Sequence, residues 1–210
     1  MQSAKVLEML NKGQIEQLKT ELRDEIYQES LKAKPNAKKR YTAMKKYFGY
    51  VSSIREALTK PCLIEFEGKQ YTSFCNSYSL ALTTESCGEM EMFDTATGNY
   101  PDVTRLISFD GTEEKIDISK VIAKAKAQGY KLKKSEVNDN NYIMFYEGNY
   151  YRIGLVDCTY GIIDDGEEAT FYHIPNSMKP LVIKSSIGVC IIMPIRYESE
   201  PYDGVIVIEA

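Results

Sequence analysis

Residues 66–82, FEGKQYTSFCNSYSLAL, read as strands folded about a tight turn. Residues 146–163, YEGNYYRIGLVDCTYGII, repeat that opening about 80 residues later. Both begin with an aromatic residue followed by Glu-Gly, and both carry a second tyrosine in register, Tyr71 and Tyr151. Glu-Gly inside a run rich in tyrosine and β-branched residues marks a two-residue hairpin. Each stretch follows a helical pattern, so the chain reads as a helix-then-strands unit used twice.

Upstream, Leu7, Leu10, Leu18, Leu22 and Ile26 recur at spacings that fit one face of a helix over 3–32, interrupted at Gly13. Pro35 breaks that pattern. A second helix is predicted from Asn36 to Pro61, with Tyr41, Met44, Phe48, Val51, Ile54 and Leu58 on its apolar face. A third is predicted to begin at Asp117, to bury Ile118, Val121, Ile122 and Ala125, and to stop at Gly129. MEMFDT (90–95) reads as a short strand and 99–109 as an extended connection. Everything after Asn141 reads as strands, Ile153–Asp164 included, with DGVIVIE near the end as the last of them.

Hydrophobic residues at 43% and charged residues at 27% allow a packed core, and no apolar run has the length of a membrane span. The five cysteines, at 62, 75, 87, 158 and 190, lack metal-ligand spacing and fit reduced cytosolic thiols, which predicts a cytoplasmic protein. A single histidine, His173, excludes multi-histidine metal sites. Cys75, His173 and Asp157 have no sequence neighbourhood that makes them a catalytic triad. Asp164, Asp165, Glu167 and Glu168 lack calcium-loop spacing and read as a hairpin turn. No phosphate-binding glycine motif occurs. A non-enzymatic protein without a cofactor is expected.

Net charge is −4, yet residues 30–60 carry +8 and 119–135 carry +6. Lys38, Lys39, Arg40, Lys45 and Lys46 crowd the second helix, and Lys120 and Lys124 lie one turn apart on the third. A solvated helix face explains such charge. A phosphate-facing surface also explains why it recurs at equivalent places in the two units.

Three segments carry a resemblance to a family. KPLVIKSSIGVCIIMPIRYE (179–198) resembles the closing strands of the bacterial sliding clamp, the beta subunit of DNA polymerase III, with their Met-Pro-hydrophobic-Arg ending. FCNSYSLAL (74–82) is similar to the family's Thr-Asp-Gly-His-Arg-Leu-Ala strand, with Asn76-Ser77-Tyr78-Ser79 in place of Asp-Gly-His-Arg. YPDVTRLI (100–107) is similar to the family's Phe-Pro-Asp-Tyr segment. The three stand in family order over some 40 residues, but 74–82 and 100–107 are closer together than in the family, as if one repeat were missing. The chain looks like a miniaturised clamp of the kind a phage or mobile element carries.

The resemblance implies an α+β fold. It would comprise a helical extension (1–34), a first clamp-like repeat (35–107), a second (108–200) and a C-terminal tail (201–210). It also implies a pocket for short linear peptides of a polymerase or other replication protein, lined by Cys75, Leu80, Pro101, Leu106, Ile191 and Met193. Non-specific double-stranded DNA would be the second partner, met by the seven basic residues named above, and a homo-oligomer would be needed to close a ring. The competing reading is a peptide-binding module that keeps the fold, never encircles DNA, and modulates host or phage replication proteins.

Overall fold

The computed structural model describes residues 3–32, 36–48, 55–96, 98–132, 141–174, 178–196 and 206–210. Two helices, α1 (Ser3–Asn11) and α2 (Ile15–Leu31), open the chain as a hairpin. The backbone at Gly13 turns to φ 69° and divides what the periodicity reads as one helix. Lys5 Nζ pairs with Glu21 Oε2 across the bend at 2.6 Å. Helix α3 (Ala37–Tyr47) is shorter than predicted. Tyr41 and Met44 are buried on it, Phe48 caps it, Val51 and Ile54 lie outside the described residues, and Leu58 closes a separate short turn, Glu56–Leu58.

Strands β1 (Cys62–Phe66), β2 (Lys69–Cys75) and β3 (Ser79–Thr83) follow as predicted. Glu67 and Gly68, at φ 50° and 72°, join β1 to β2. Positive φ at both central residues matches the right-handed twist of the flanking strands, which explains the glycine. Residues 90–95 do not form a strand; Phe93 N donates to the Pro61 carbonyl at 2.7 Å and the segment runs as a loop. After β4 (Thr112–Ile116) comes α4 (Ile118–Ala127), whose predicted bounds hold because Asp117 caps it by accepting from Lys120 N at 3.3 Å.

Strands β5 (Tyr142–Tyr146) and β6 (Asn149–Arg152) reuse the same turn, with Glu147 and Gly148 at φ 47° and 78°. There the two related stretches part company. Residues predicted as strand form helix α5 (Ile153–Ile163), and all eleven of its residues are buried. A helix covered on every side has no polar face, so its 3.6-residue period leaves no trace in the sequence. Gly161 lets α3 approach: a Cβ there would stand 3.0 Å from the Ala43 Cβ. The carboxylates of 164–168 form the connection from α5 to β7 (Ala169–His173), not a hairpin between strands.

Strands β8 (Leu181–Lys184) and β9 (Gly188–Ile192) complete a seven-stranded antiparallel sheet ordered β1-β2-β3-β9-β8-β7-β4. It draws strands from both proposed repeats. Strand β10 (Ile206–Glu209), from the proposed tail, pairs in parallel with β5 to form a three-stranded sheet with β6. On the large sheet Phe74, Ala81, Cys190, Ile183 and Phe171 stand in register as one row in the core that holds α5. Phe74 and Phe171 are fully buried, and each contributes about 2–3 kcal/mol by burial.

A candidate peptide groove on the outer sheet face

One residue along each strand, the opposite row forms the outer face. Cys75 pairs with Leu80, Leu80 with Ile191, Ile191 with Val182, and Val182 with Tyr172. A strap from Tyr100 to Phe109 contributes to the same apolar cluster. Its Val103 is buried among these residues, and Tyr100 Oη lies 3.1 Å from Ser73 Oγ. The three segments singled out in the sequence therefore meet on one face. Their roles within it differ.

Cys75, Leu80 and Ile191 are buried and make the floor of the cluster rather than an open lining. Burial pushes the Cys75 thiol up to about 11, far from the range of a nucleophile. Pro101 is half-buried. Leu106 and Met193 remain 57% and 42% exposed. Leu106 forms one wall of a groove of about 240 Å³, together with Asp110 just past the strap, Tyr172 and Val182 of the sheet, and Lys179 and Pro180. Met193 does not line that groove; it follows directly on β9, whose last residue Ile192 faces Leu181. Met193 N also donates to the Tyr78 carbonyl at 2.9 Å. Tyr172, Pro180 and Val182 were not singled out from the sequence. Their strands were legible there, but the register that sets Val182 beside Ile191 was not.

His173 and Asp157 do not join Cys75. His173 Nδ1 lies 3.1 Å from Tyr146 Oη, a hydroxyl that also donates to Glu114 Oε2 at 2.7 Å. Asp157 sits on buried α5.

The basic residues divide into three environments. Arg40 is buried: Nη1 donates to the Asp164 carbonyl at 2.8 Å and Nη2 lies 3.5 Å from Glu85. The expectation that it faces phosphate is corrected, because its guanidinium serves the interior. Lys39, Lys45 and Lys46 reach Asp164 at 2.5 Å, Asp24 at 2.9 Å and the Leu132 carbonyl at 3.1 Å. Lys120 pairs with Asp117 at 3.4 Å and Lys124 donates to the Glu209 carbonyl at 3.1 Å. Both line a cleft of about 510 Å³ shared with Glu114, Glu147 and Glu168. Lys38 is exposed. A smaller cleft lies between Lys39 of α3 and Lys126 of α4, with Asp157 in its wall.

Among the described residues no group of three or more His, Cys, Asp or Glu is placed to hold a metal ion, and no helix is long and apolar enough to cross a membrane. The architecture is mixed α+β, with five α-helices among the described residues and one large antiparallel sheet. No family model matches the chain, and no curated protein matches it. Among solved structures it is similar to the beta sliding clamp of C. crescentus, at a TM-score of 0.46 and 12% identity. The likeness covers 75% of this chain and 64% of that one, so the chain spans less than two thirds of the clamp's length.

Proposed function

We propose that the protein is a non-catalytic, clamp-like accessory module that tethers a DNA-processing partner by holding an apolar side chain of a short linear peptide. The observation that carries this reading is the meeting of residues 74–82, 100–107 and 179–196 on one sheet face, with the exposed Leu106 in the wall of a groove and Met193 exposed just past the end of β9. A cavity of that size accepts one or two side chains rather than a cofactor. Leu106, Pro180 and Val182 supply apolar contact, a methionine adapts to differing residues, and Asp110 and Lys179 fix the direction of the peptide backbone. Fluorescence polarisation with a labelled Leu- and Phe-bearing clamp-binding peptide tests it. Met193→Lys and Leu106→Lys are expected to weaken binding at least tenfold, whereas Leu63→Lys on the far edge strand leaves it unchanged. No binding by the native chain, or equal binding by all variants, overturns the reading.

A second reading, contact with DNA phosphates, draws support from the cleft that Lys39 and Lys126 share, which sets the two basic segments side by side. Lys38 adds charge on the same helix. Such contact reads no bases and weakens steeply with salt. Duplex DNA titrated at several salt concentrations tests it. Combined Lys38→Glu and Lys126→Glu should lower affinity and flatten the salt dependence; an unchanged titration removes this surface as the contact, and no binding by the native chain removes DNA as a partner.

A further inference from the structure

Three sulfur side chains lie close together in a loop that the groove does not use. Residues 87–92, CGEMEM, carry Cys87, Met90 and Met92. Cys87 is buried, and its Sγ donates to Met92 Sδ at 3.3 Å. Met90 N donates to the Cys87 carbonyl at 3.4 Å, closing a four-residue turn that brings Met90 back beside Cys87. Burial then alternates along the loop. Glu89 and Glu91 are exposed, while Met90 and Met92 are half-buried and pack on the core cluster that holds Cys87. Both thioethers are thus turned to the thiol's side. Helix α2 covers the start of the loop: Tyr27 Oη donates to the Ser86 carbonyl at 2.6 Å, and a Cβ at Gly88 would stand 2.6 Å from the Tyr27 ring. With Tyr27 turned inward, Leu22 and Ile26 of the same helix stay exposed.

We propose that Cys87, Met90 and Met92 form a binding site for a soft monovalent metal ion, Cu(I). Thiolate and thioether sulfurs select that ion over harder ones. The site needs no second His, Cys, Asp or Glu, since two of its three ligands are thioethers. Charge narrows the choice further. One thiolate and two neutral thioethers around a monovalent ion leave no net charge, so the complex avoids the cost of a buried ion. A divalent ion in the same place would leave one positive charge uncompensated. On binding, the Cys87 thiol gives its proton to water, and a bond from sulfur to copper replaces the bond to hydrogen. With metal–thiolate bonds of roughly 2.3 Å, sulfurs around a trigonal ion stand about 4 Å apart, so the 3.3 Å contact has to widen by about 0.7 Å. An unbranched methionine side chain with its rotatable bonds supplies that movement. The ion has a way in, because Met90 and Met92 are both partly open to solvent.

None of the three residues lines the peptide groove, so this proposal and the function above fail independently. Anaerobic titration of the full chain with Cu(I), in competition with the chelator bicinchoninate, is expected to withdraw a single ion per chain. Met90→Leu and Met92→Leu conserve volume, and each should weaken retention by about tenfold or more. Cys87→Ser should abolish it, and Cys62→Ser should leave it unchanged; circular dichroism checks that each variant folds. X-ray absorption on the loaded native chain, which relies on no variant, should show a shell of three sulfurs without nitrogen or oxygen. A native chain that leaves all the copper with the chelator overturns the proposal. So does retention undiminished in Cys87→Ser or in the two methionine variants, or a shell containing nitrogen or oxygen.

Discussion

Arg40 donates through Nη1 to the main-chain carbonyl of Asp164, while its neighbour Lys39 holds the carboxylate of that same residue. Two adjacent cations of α3 thus close the end of α5 from opposite environments, one buried and the other half in water. Arg40→Ala leaves a buried carbonyl and Glu85 without their cation, and should cost about 3 kcal/mol. Lys39→Ala removes a pair whose cation is solvated and should cost about 1 kcal/mol or less. Urea unfolding of the two variants checks the ranking; equal effects would contradict the assignment of Arg40 to the interior.

Acid should loosen the N-terminal hairpin. Burial works to raise the Asp24 carboxyl, but hydrogen bonds from Tyr41, Lys45 and Gln28 outweigh it and hold the group below its ordinary range. A carboxyl lowered in the folded state stabilises above its unfolded value, near 4, and loses that contribution as pH falls through the lower folded value. The protection of α2 amides against exchange, relative to their intrinsic rates at each pH, should therefore fall below about pH 4, and Asp24→Asn should reduce that pH dependence, leaving the part due to Glu21, which Lys5 also holds low. Protection in α2 that does not change with acid would count against the Tyr41 and Lys45 contacts.

Asp157 has the opposite sign. Burial raises its carboxyl, and the charge of Lys126, a hydrogen bond from Tyr130 and the charges of Lys39 and Lys46 offset this only in part. Raised in the folded state, the group favours folding at low pH and loses that contribution as pH climbs through its folded value. Asp157→Asn keeps the shape without the charge, so the variant should melt higher at neutral pH, by about 2–4 °C for each kcal/mol recovered. The gain should vanish in mild acid. A lower melting temperature at neutral pH would show that the charge is needed.

The cysteines provide a probe of the interior. All five are buried, and burial raises every one of the thiols. Thiolate is the reacting form, so labelling by a thiol reagent at neutral pH should be slow in the native protein and complete in urea. Cys190 and Cys158, deepest in the core, should react only on global unfolding. Early modification of either would place it nearer the surface than the structure does.

Elements whose chemistry is local were legible in the sequence. Both Glu-Gly hairpins could be read, because a two-residue turn with positive φ leaves few choices of residue. Helix α4 could be read from its Asp117 cap, its apolar face and Gly129. Helix α5 could not, since Ile153–Ile163 is apolar all round and rich in β-branched residues, so nothing in it separates a buried helix from buried strands. The stripe on α2 was visible, but its direction was not: that depends on Asp24 and Tyr27 finding partners on α3 and beside Ser86. For the groove, the sequence named the segments. Which members of the outer row would be sealed under Val103, and which would stay open beside Pro180, depends on a register between strands far apart in the chain.

That distance also sets a clock. Leu80 and Ile191 are paired at the centre of the sheet, yet the ribosome makes the second some 110 residues after the first. At 5–20 residues per second the wait is roughly 5–20 s. Through it β3 has its outward edge unmatched, and Leu80, Ala81 and Leu82 have no sheet to complete. Pairings of this range are also the slow ones in refolding. The nascent chain thus spends much of its synthesis with a strand that the finished fold buries completely left exposed at one edge, and this interval, rather than the finished fold, is when the protein most needs a chaperone.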